Sequence, residues 1–383
     1  MFNVTLNLSG ERFNVVYGLT GNGAETLARA QDICVEQTIE FPEDLVPEGD
    51  IRNHILGRIE SFQPLAPGRW EAVISFAIEI TAFELTQLLN VVFGNFSLKP
   101  GVRVEGLELP ASFLERFNGP RFGVPGLREL LGVPERPLFC AALKPMGLPV
   151  ETLSELAYRF ALGGVDLIKE DHGLTDQPFA PFRERVRRCA EAVERAHRET
   201  GKKCLYICNI TAPASGIMER ALFAKENGAG GVLVAPGLVG LDTMRQVAGH
   251  HAALPVISHP AFQGSFITDP GSGISHYTLF GQLSRLAGAD AVIHPNYGGR
   301  FFFTDDDCRS IVQGTAVPMH HIKPIFPVPG GGMSLERIPE MLRLYGQNVV
   351  FLIGGALHRM GPDLVENCRR YMDAVKQNFP ADG

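Results

Sequence analysis

The chain has 383 residues, 45% of them hydrophobic, with 42 acidic against 35 basic side chains and a net charge of -7 at pH 7. That length accommodates two domains and a large core, and the scattered lysines and arginines form no basic stripe, which argues against a nucleic-acid surface. Seven cysteines, an odd number without a tight metal or disulfide spacing, favour reduced thiols in a cytoplasmic protein.

Residues 1–16 alternate apolar and polar side chains, so no secretory leader is expected there, and no apolar run is long enough to span a bilayer. Strand-like stretches at 12–17 and 69–80, with helical stretches near 23–34 and 82–91, predict a smaller α+β domain over residues 1–125. The turn-forming segment from Phe117 to Pro125 reads as a linker.

From Leu138 onward, short Val/Ile/Leu-rich runs alternate with segments of helical period. Eight strands are expected, at 138–143, 165–169, 203–209, 231–235, 255–259, 290–294, 322–327 and 349–353. Eight helical segments accompany them, near 151–162, 181–199, 215–227, 241–251, 276–287, 306–314, 335–345 and 363–377. The fold class is therefore α/β, with a (β/α)8 barrel over residues 126–383.

In such barrels chemistry sits at the C-terminal strand ends, which here carry Lys144, Lys169 to His172, Asn209, His259, His294, Gly330 to Gly332 and Gly354-Gly355. The run Gly163-Gly164-Val165-Asp166-Leu167-Ile168-Lys169-Glu170-Asp171-His172 is the most informative: Lys169 and Asp171 project to one face and Glu170 to the other. A lysine beside acids is ordinarily a salt bridge. Carbamylated by carbon dioxide, Lys169 becomes an anionic oxygen ligand that, with Asp171, suits a hard cation such as Mg2+. His172 is a third candidate ligand, although Mg2+ prefers oxygen.

Lys144 ends an apolar strand, where a lowered pKa suits proton transfer; the alternative is a charge escaping to the rim. Asn209 is a hydrogen-bonding candidate or a helix cap. His259 and His294 titrate naturally near neutrality and suit polarising a carbonyl or moving a proton, with His276 a weaker third. Gly331-Gly332 and Gly354-Gly355 follow strands seven and eight, where exposed N–H groups cradle phosphates in many barrels, so a phosphorylated substrate is expected. Tyr297-Gly298-Gly299-Arg300 after strand six reads as a mobile loop with one cation, or as a plain turn.

These residues carry a resemblance. The run from Gly163 to His172 resembles the Gly-Gly-x-Asp-x-x-Lys-Asp-Asp-Glu signature of ribulose-bisphosphate carboxylase large chains, and Gln177-Pro178-Phe179 and Arg183 follow as in that family. Over nearly its whole length the chain looks like a RuBisCO-like protein, a relative that does not fix carbon. The resemblance implies a carbamylated Lys169, Asp171 as a magnesium ligand, and Lys144 of Lys144-Pro145 handling protons on an enediolate. Asn209-Ile210-Thr211-Ala212 resembles the third-strand motif, and His259 and His276 fall where the family has histidines. Val35-Glu36-Gln37-Thr38 and Phe93-Gly94-Asn95 resemble segments inserted into the partner subunit's site, which implies a homodimer with Glu36 and Asn95 in shared active sites.

The departures are equally informative. His172 replaces the family's glutamate ligand, Pro260 stands where an arginine grips the second phosphate, and the loop from His294 to Phe303 has no lysine to hold an added carboxylate. Carbon fixation is not expected. A monophosphate with a short or apolar tail fits better, with Phe301 to Phe303 as apolar contacts.

Among RuBisCO-like activities, the Asp-His ending resembles the branch that isomerises 5-methylthioribulose 1-phosphate in methionine salvage. The alternatives are a diketo-methylthiopentyl-phosphate enolase, a decarboxylase of a branched 3-oxo acid sugar phosphate and, in another class, a non-catalytic dimeric sugar-phosphate binder.

Overall fold

A computed structural model describes residues 5–379, so the first four residues of the stretch read for a leader lie outside it. Among the described residues thirteen strands run in chain order: β1 Arg12–Thr20, β2 Arg58–Ala66, β3 Arg69–Ala77, β4 Val102–Glu108, β5 Leu138–Leu143, β6 Leu167–Glu170, β7 Leu205–Asn209, β8 Gly231–Val234, β9 Val256–Ser258, β10 Gly273–Ile274, β11 Ala291–Pro295, β12 Phe326–Gly330 and β13 Val350–Ile353. Two compact units contain them. One comprises Met1–Asn118, Gln263–Leu283 and Pro318–Ile322, and the other Gly119–Phe262, Ser284–Val317 and Lys323–Gly383. Two segments from the barrel half of the sequence thus belong to the N-terminal unit.

The first unit is a five-stranded sheet in the order β10-β4-β1-β3-β2, antiparallel except where β10 joins β4. Phe13, Val15, Tyr17 and Leu19 of β1 alternate onto the buried face, and the Tyr17 hydroxyl donates to the Val92 carbonyl at 2.7 Å. Helix Gly23–Glu36 starts at a capping box in which Asn22 and Glu25 satisfy each other's backbone N–H groups. Helix Leu85–Phe93 buries Leu85, Leu88, Val91 and Val92, the spacing of a single apolar stripe.

The second unit is a closed parallel barrel in the order β11-β12-β13-β5-β6-β7-β8-β9, as the eight runs predict. Its inner face carries Leu138 and Cys140, Leu167, Ile207, Leu233, Ile257, Ala291 and Ile293, Phe326 and Val328, and Val350 in one cluster. Helix Gly123–Leu131 contributes Val124, Leu127 and Leu131 to that cluster. The expected linker at 117–125 therefore overlaps a helix whose first residues are Gly123, Val124 and Pro125, a composition that also suits a turn.

Strand seven is displaced from its expected span of 322–327 to Phe326–Gly330. Pro327 and Pro329 lack the N–H that a central ladder uses, which hides the strand in the sequence. Phe326 and Val328 still face the core, and pairing with β13 is confined to Gly330 opposite Leu352. The helix expected at 276–287 forms as a π-helical segment, Tyr277–Leu283, followed by Ser284–Leu286. No described helix is long and apolar enough to cross a membrane.

Candidate active site

Strand alternation decides what reaches the barrel mouth. Leu138 and Cys140 face inward on β5, which puts Lys144 on the inward register; Leu167 does the same for Lys169 and Asp171 on β6. β5 and β6 are neighbours, with Ala142 opposite Lys169, so the two strand ends lie side by side. Lys144 Nζ stands 3.1 Å from Asp171 Oδ1, and His172 Nδ1 stands 3.1 Å from the same oxygen. The His172 backbone N–H also donates to that oxygen at 3.0 Å.

Burial alone would raise the Asp171 carboxyl, but the His172 hydrogen bond and the Lys169 and Lys144 charges outweigh it and hold the group well below the ordinary carboxylate range. Lys169 is buried, and loss of hydration lowers its amine below the ordinary lysine value against the pull of Asp171. The His172 and His259 rings stack with centroids 4.3 Å apart and planes 14° apart. Burial, then the Lys169 and His172 charges, pushes His259 down to about 2, so its imidazole is neutral at physiological pH. Its Nδ1 accepts from the Ala261 N–H at 3.2 Å.

Glu170 takes the opposite face, as alternation predicts, and is wholly buried. Its Oε1 accepts from Arg185 Nε and from the Tyr206 hydroxyl, each at 2.5 Å, and its Oε2 accepts from Arg185 Nη2 at 3.2 Å and the Asn209 N–H at 2.8 Å. Arg185 also donates to the Thr175 and Ala180 carbonyls. Lys169 and Asp171 thus flank a residue locked to β7 and to helix Phe182–Thr200. The legible signal for Arg185 is its place in that helix's buried stripe with Phe182, Cys189, Ala192 and Ala196.

Asn209 is buried and fully engaged. Its Nδ2 donates to the carbonyls of His172 at 2.9 Å and Leu174 at 2.6 Å, and its Oδ1 accepts from the Thr211 N–H at 3.1 Å. It shapes the loop after β6 rather than capping the next helix, whose N-cap is Pro213.

His294, the second histidine expected at the mouth, is wholly buried. It lies against Tyr345 at 5.9 Å, with Nδ1 2.9 Å from the Pro295 carbonyl.

The glycines expected at loops seven and eight follow adjacent strands, β12 and β13. A Cβ at Gly331, Gly354 or Gly355 would meet nothing within 4 Å, so open space lies beside these backbones. Gly332 differs: its φ is +64°, and a Cβ there would come within 3.1 Å of Gly299 Cα. The loop from Tyr297 to Arg300, read from sequence as mobile, is fastened there. Arg337 Nη1 donates to the carbonyls of Tyr297 at 3.2 Å and Gly332 at 2.9 Å. Phe302 at the end of the loop is fully exposed.

In the N-terminal unit, Asn95 Nδ2 donates to Glu36 Oε1 at 2.9 Å, so the two residues expected to act together are neighbours. His276 belongs to that unit as well, buried beside Phe280.

The donor set fits a hard cation only through a modified lysine. Among the described residues no group of three or more His, Cys, Asp and Glu side chains is placed to hold a metal. Glu170 is consumed by Arg185 and Tyr206, leaving the Asp171 carboxylate beside Lys169. The neutral amine is the form that adds carbon dioxide, and burial of Lys169 favours it. The carbamate oxygens and Asp171 would then supply the oxygen ligands that Mg2+ prefers, with His172 adjacent.

A closed parallel barrel with two lysines and an aspartate converging at neighbouring strand ends, and glycine loops after its last two strands, has the arrangement in which barrel folds place their active sites. Residues 123–377 match the family model of the ribulose bisphosphate carboxylase large chain, catalytic domain. The chain belongs to that family, and its near relatives are RuBisCO-like proteins. It is 40% identical over 365 residues to ribulose bisphosphate carboxylase-like protein 1 of Rhodopseudomonas palustris, covering 95% of this chain and 98% of that one. It is 35% identical over 366 residues to 5-methylthioribulose-1-phosphate isomerase of Rhodospirillum rubrum, covering 95% and 96%. The crystal structure of a RuBisCO-like protein from Rhodopseudomonas palustris superposes with a TM-score of 0.88 at 36% identity, over 97% of this chain and 99% of that one.

Proposed function

We propose that this protein isomerises a ketose monophosphate, 5-methylthioribulose 1-phosphate, by proton transfer through an enediolate and without carbon fixation. The observation that carries the reading is the contact of Lys144 with Asp171 beside buried Lys169, a base and an acidic ligand meeting at two neighbouring strand ends. The isomerase name of the Rhodospirillum rubrum relative supports the choice of substrate.

Lys169 as a carbamate and Asp171 would hold Mg2+, which when bound would supply Lewis-acid stabilisation of the developing oxyanion. Lys144 removes the proton next to the substrate carbonyl, and the proton returns to a different carbon, so substrate and product are isomers. Neutral His259, stacked on His172, polarises or donates to the substrate oxygen without adding a competing charge. Gly331, Gly332, Gly354 and Gly355 bind the phosphate through backbone N–H groups. Asn209 acts by holding the carbonyls of His172 and Leu174. The absence of a lysine from loop six and Pro260 after His259 agree with a substrate that has neither a second phosphate nor an added carboxylate. The likeness of the Glu36 and Asn95 segments to those that the family inserts into a partner subunit extends the reading to a homodimer.

The test is incubation with 5-methylthioribulose 1-phosphate, Mg2+ and bicarbonate, followed by phosphorus and proton NMR. An isomeric phosphate ester supports the reading. Turnover of only the diketo substrate assigns the enolase activity instead, and carbon dioxide release from a branched 3-oxo acid assigns a decarboxylase.

A further inference from the structure

We propose that Arg337 is a positioning residue for the phosphate-binding edge, fastening the loop after β11 to the glycine loop after β12 so that a phosphate monoester meets a preset row of backbone N–H groups. The proposal rests on the assignment of Gly331 and Gly332 to phosphate binding and adds the device that holds them.

One guanidinium spans both loops. Nη1 donates to the Tyr297 carbonyl on the first loop and to the Gly332 carbonyl on the second, at 3.2 and 2.9 Å. The guanidinium carbon lies 4.8 Å from the centroid of the Tyr297 ring, and Nε pairs with Glu340 Oε2 at 3.0 Å. The Tyr297 hydroxyl donates to the other Glu340 oxygen, which closes a ring of Arg337, Glu340 and Tyr297. Because Glu340 neutralises Arg337 and fixes its plane, the cation acts on the loops through geometry rather than as a free phosphate ligand.

The glycines make this close approach possible. A Cβ at Gly298 would lie 3.3 and 3.4 Å from the Arg337 terminal nitrogens, and one at Gly332 would lie 3.2 Å from Nη1. Behind them, buried Asn296 takes its place in the same joint. Its N–H donates to the Gly330 carbonyl at 3.0 Å, its Nδ2 meets the Met333 and Met341 sulfurs at 3.3 and 3.1 Å, and its Oδ1 accepts from Tyr345 at 2.8 Å. Asn296 secures the base of the two loops and Arg337 secures their outer ends. Holding N–H groups in advance of the ligand removes ordering cost from binding, which raises affinity without a new contact.

The test compares wild type with Arg337→Gln, Arg337→Lys and Glu340→Gln. Hydrogen exchange is read over residues 297–303 and 331–334 without ligand, and inorganic phosphate affinity is read by calorimetry. Arg337→Gln is expected to speed exchange in both loops, weaken phosphate binding about ten-fold or more, and leave exchange in β5 and β6 unchanged. Arg337→Lys keeps the charge but not the planar fork, so it is expected to restore neither property; recovery of wild-type affinity in it overturns the positioning role in favour of a simple charge. Glu340→Gln is expected to loosen the same two loops with Arg337 still present. Unchanged exchange in Arg337→Gln overturns the fastening. Wild-type protein that binds no phosphate, with the loops still loosened in the variants, overturns the phosphate-site reading and the role of Arg337 in it while leaving the isomerase chemistry of Lys144 and Lys169 to its own test.

Discussion

Lys144 and Asp171 share a single contact, Nζ to Oδ1 at 3.1 Å, so the amine assigned to proton transfer is also the nearest cation to the carboxylate assigned to Mg2+. Lys144→Ala is expected to lose about 10²–10⁴-fold in kcat, the usual weight of a general base, while binding Mg2+ or Mn2+ at least as tightly because Asp171 loses an ammonium competitor. Asp171→Asn is expected to lose both activity and metal binding. Titration with Mn2+ followed by electron paramagnetic resonance checks the pair. Weakened metal binding in Lys144→Ala contradicts the assignment.

Glu170 supports the site from behind. Its carboxylate accepts four hydrogen bonds, two from Arg185, one from Tyr206 and one from the Asn209 backbone. Removing its charge strands the buried Arg185 guanidinium, so Glu170→Gln is expected to destabilise the protein by about 3–5 kcal/mol. Tyr206→Phe removes one hydrogen bond and is expected to cost about 1 kcal/mol. Denaturant melts give both values, and equal losses for the two variants would contradict this weighting.

The histidine pair gives a pH dependence whose sign follows from burial. In the unfolded chain His259 takes up a proton near its ordinary value of 6.5, whereas in the folded protein it stays neutral down to about 2. The unfolded state therefore binds more protons below pH 6.5, and stability falls as pH drops through that range. Between pH 7 and 5 the loss attributable to His259 is about 2 kcal/mol, from roughly 1.4 kcal/mol per pH unit per proton. In metal-free protein, His259→Gln is expected to flatten the stability profile over this interval. An unchanged slope contradicts the assignment.

Gly355 separates space used by a ligand from space needed by the fold. A Cβ there meets no protein atom within 4 Å, and its φ is not positive, so Gly355→Ala carries no steric penalty in the free protein. The melting temperature is expected to stay within a degree or two, since alanine is the better helix former. KM for the phosphorylated substrate is expected to rise about ten-fold as the methyl group enters the phosphate space. An unchanged KM in steady-state kinetics places the phosphate elsewhere.

Seven of the eight barrel strands are legible in place because each is a short apolar run ending in polar or glycine residues, whereas prolines obscure Phe326–Gly330, and alternation alone separates Lys169 and Asp171 from Glu170. β2 escaped notice because it is an edge strand with nearly every side chain exposed, leaving no alternation to read. Arg337 carries no such signal, because its role comes from carbonyls that only folding brings together, whereas Arg185 shows as a charge on the buried stripe of its helix without revealing Glu170 as its partner.

The most direct test follows solvent deuterium into 5-methylthioribulose 1-phosphate by proton NMR, with and without Mg2+ and bicarbonate, for wild type and Lys169→Ala. The account predicts exchange at the carbon beside the carbonyl that requires both additions, is accompanied by conversion to an isomer, and vanishes in Lys169→Ala. Wild-type protein that exchanges no proton of any phosphorylated ketose under these conditions, or Lys169→Ala that exchanges as wild type does, contradicts it.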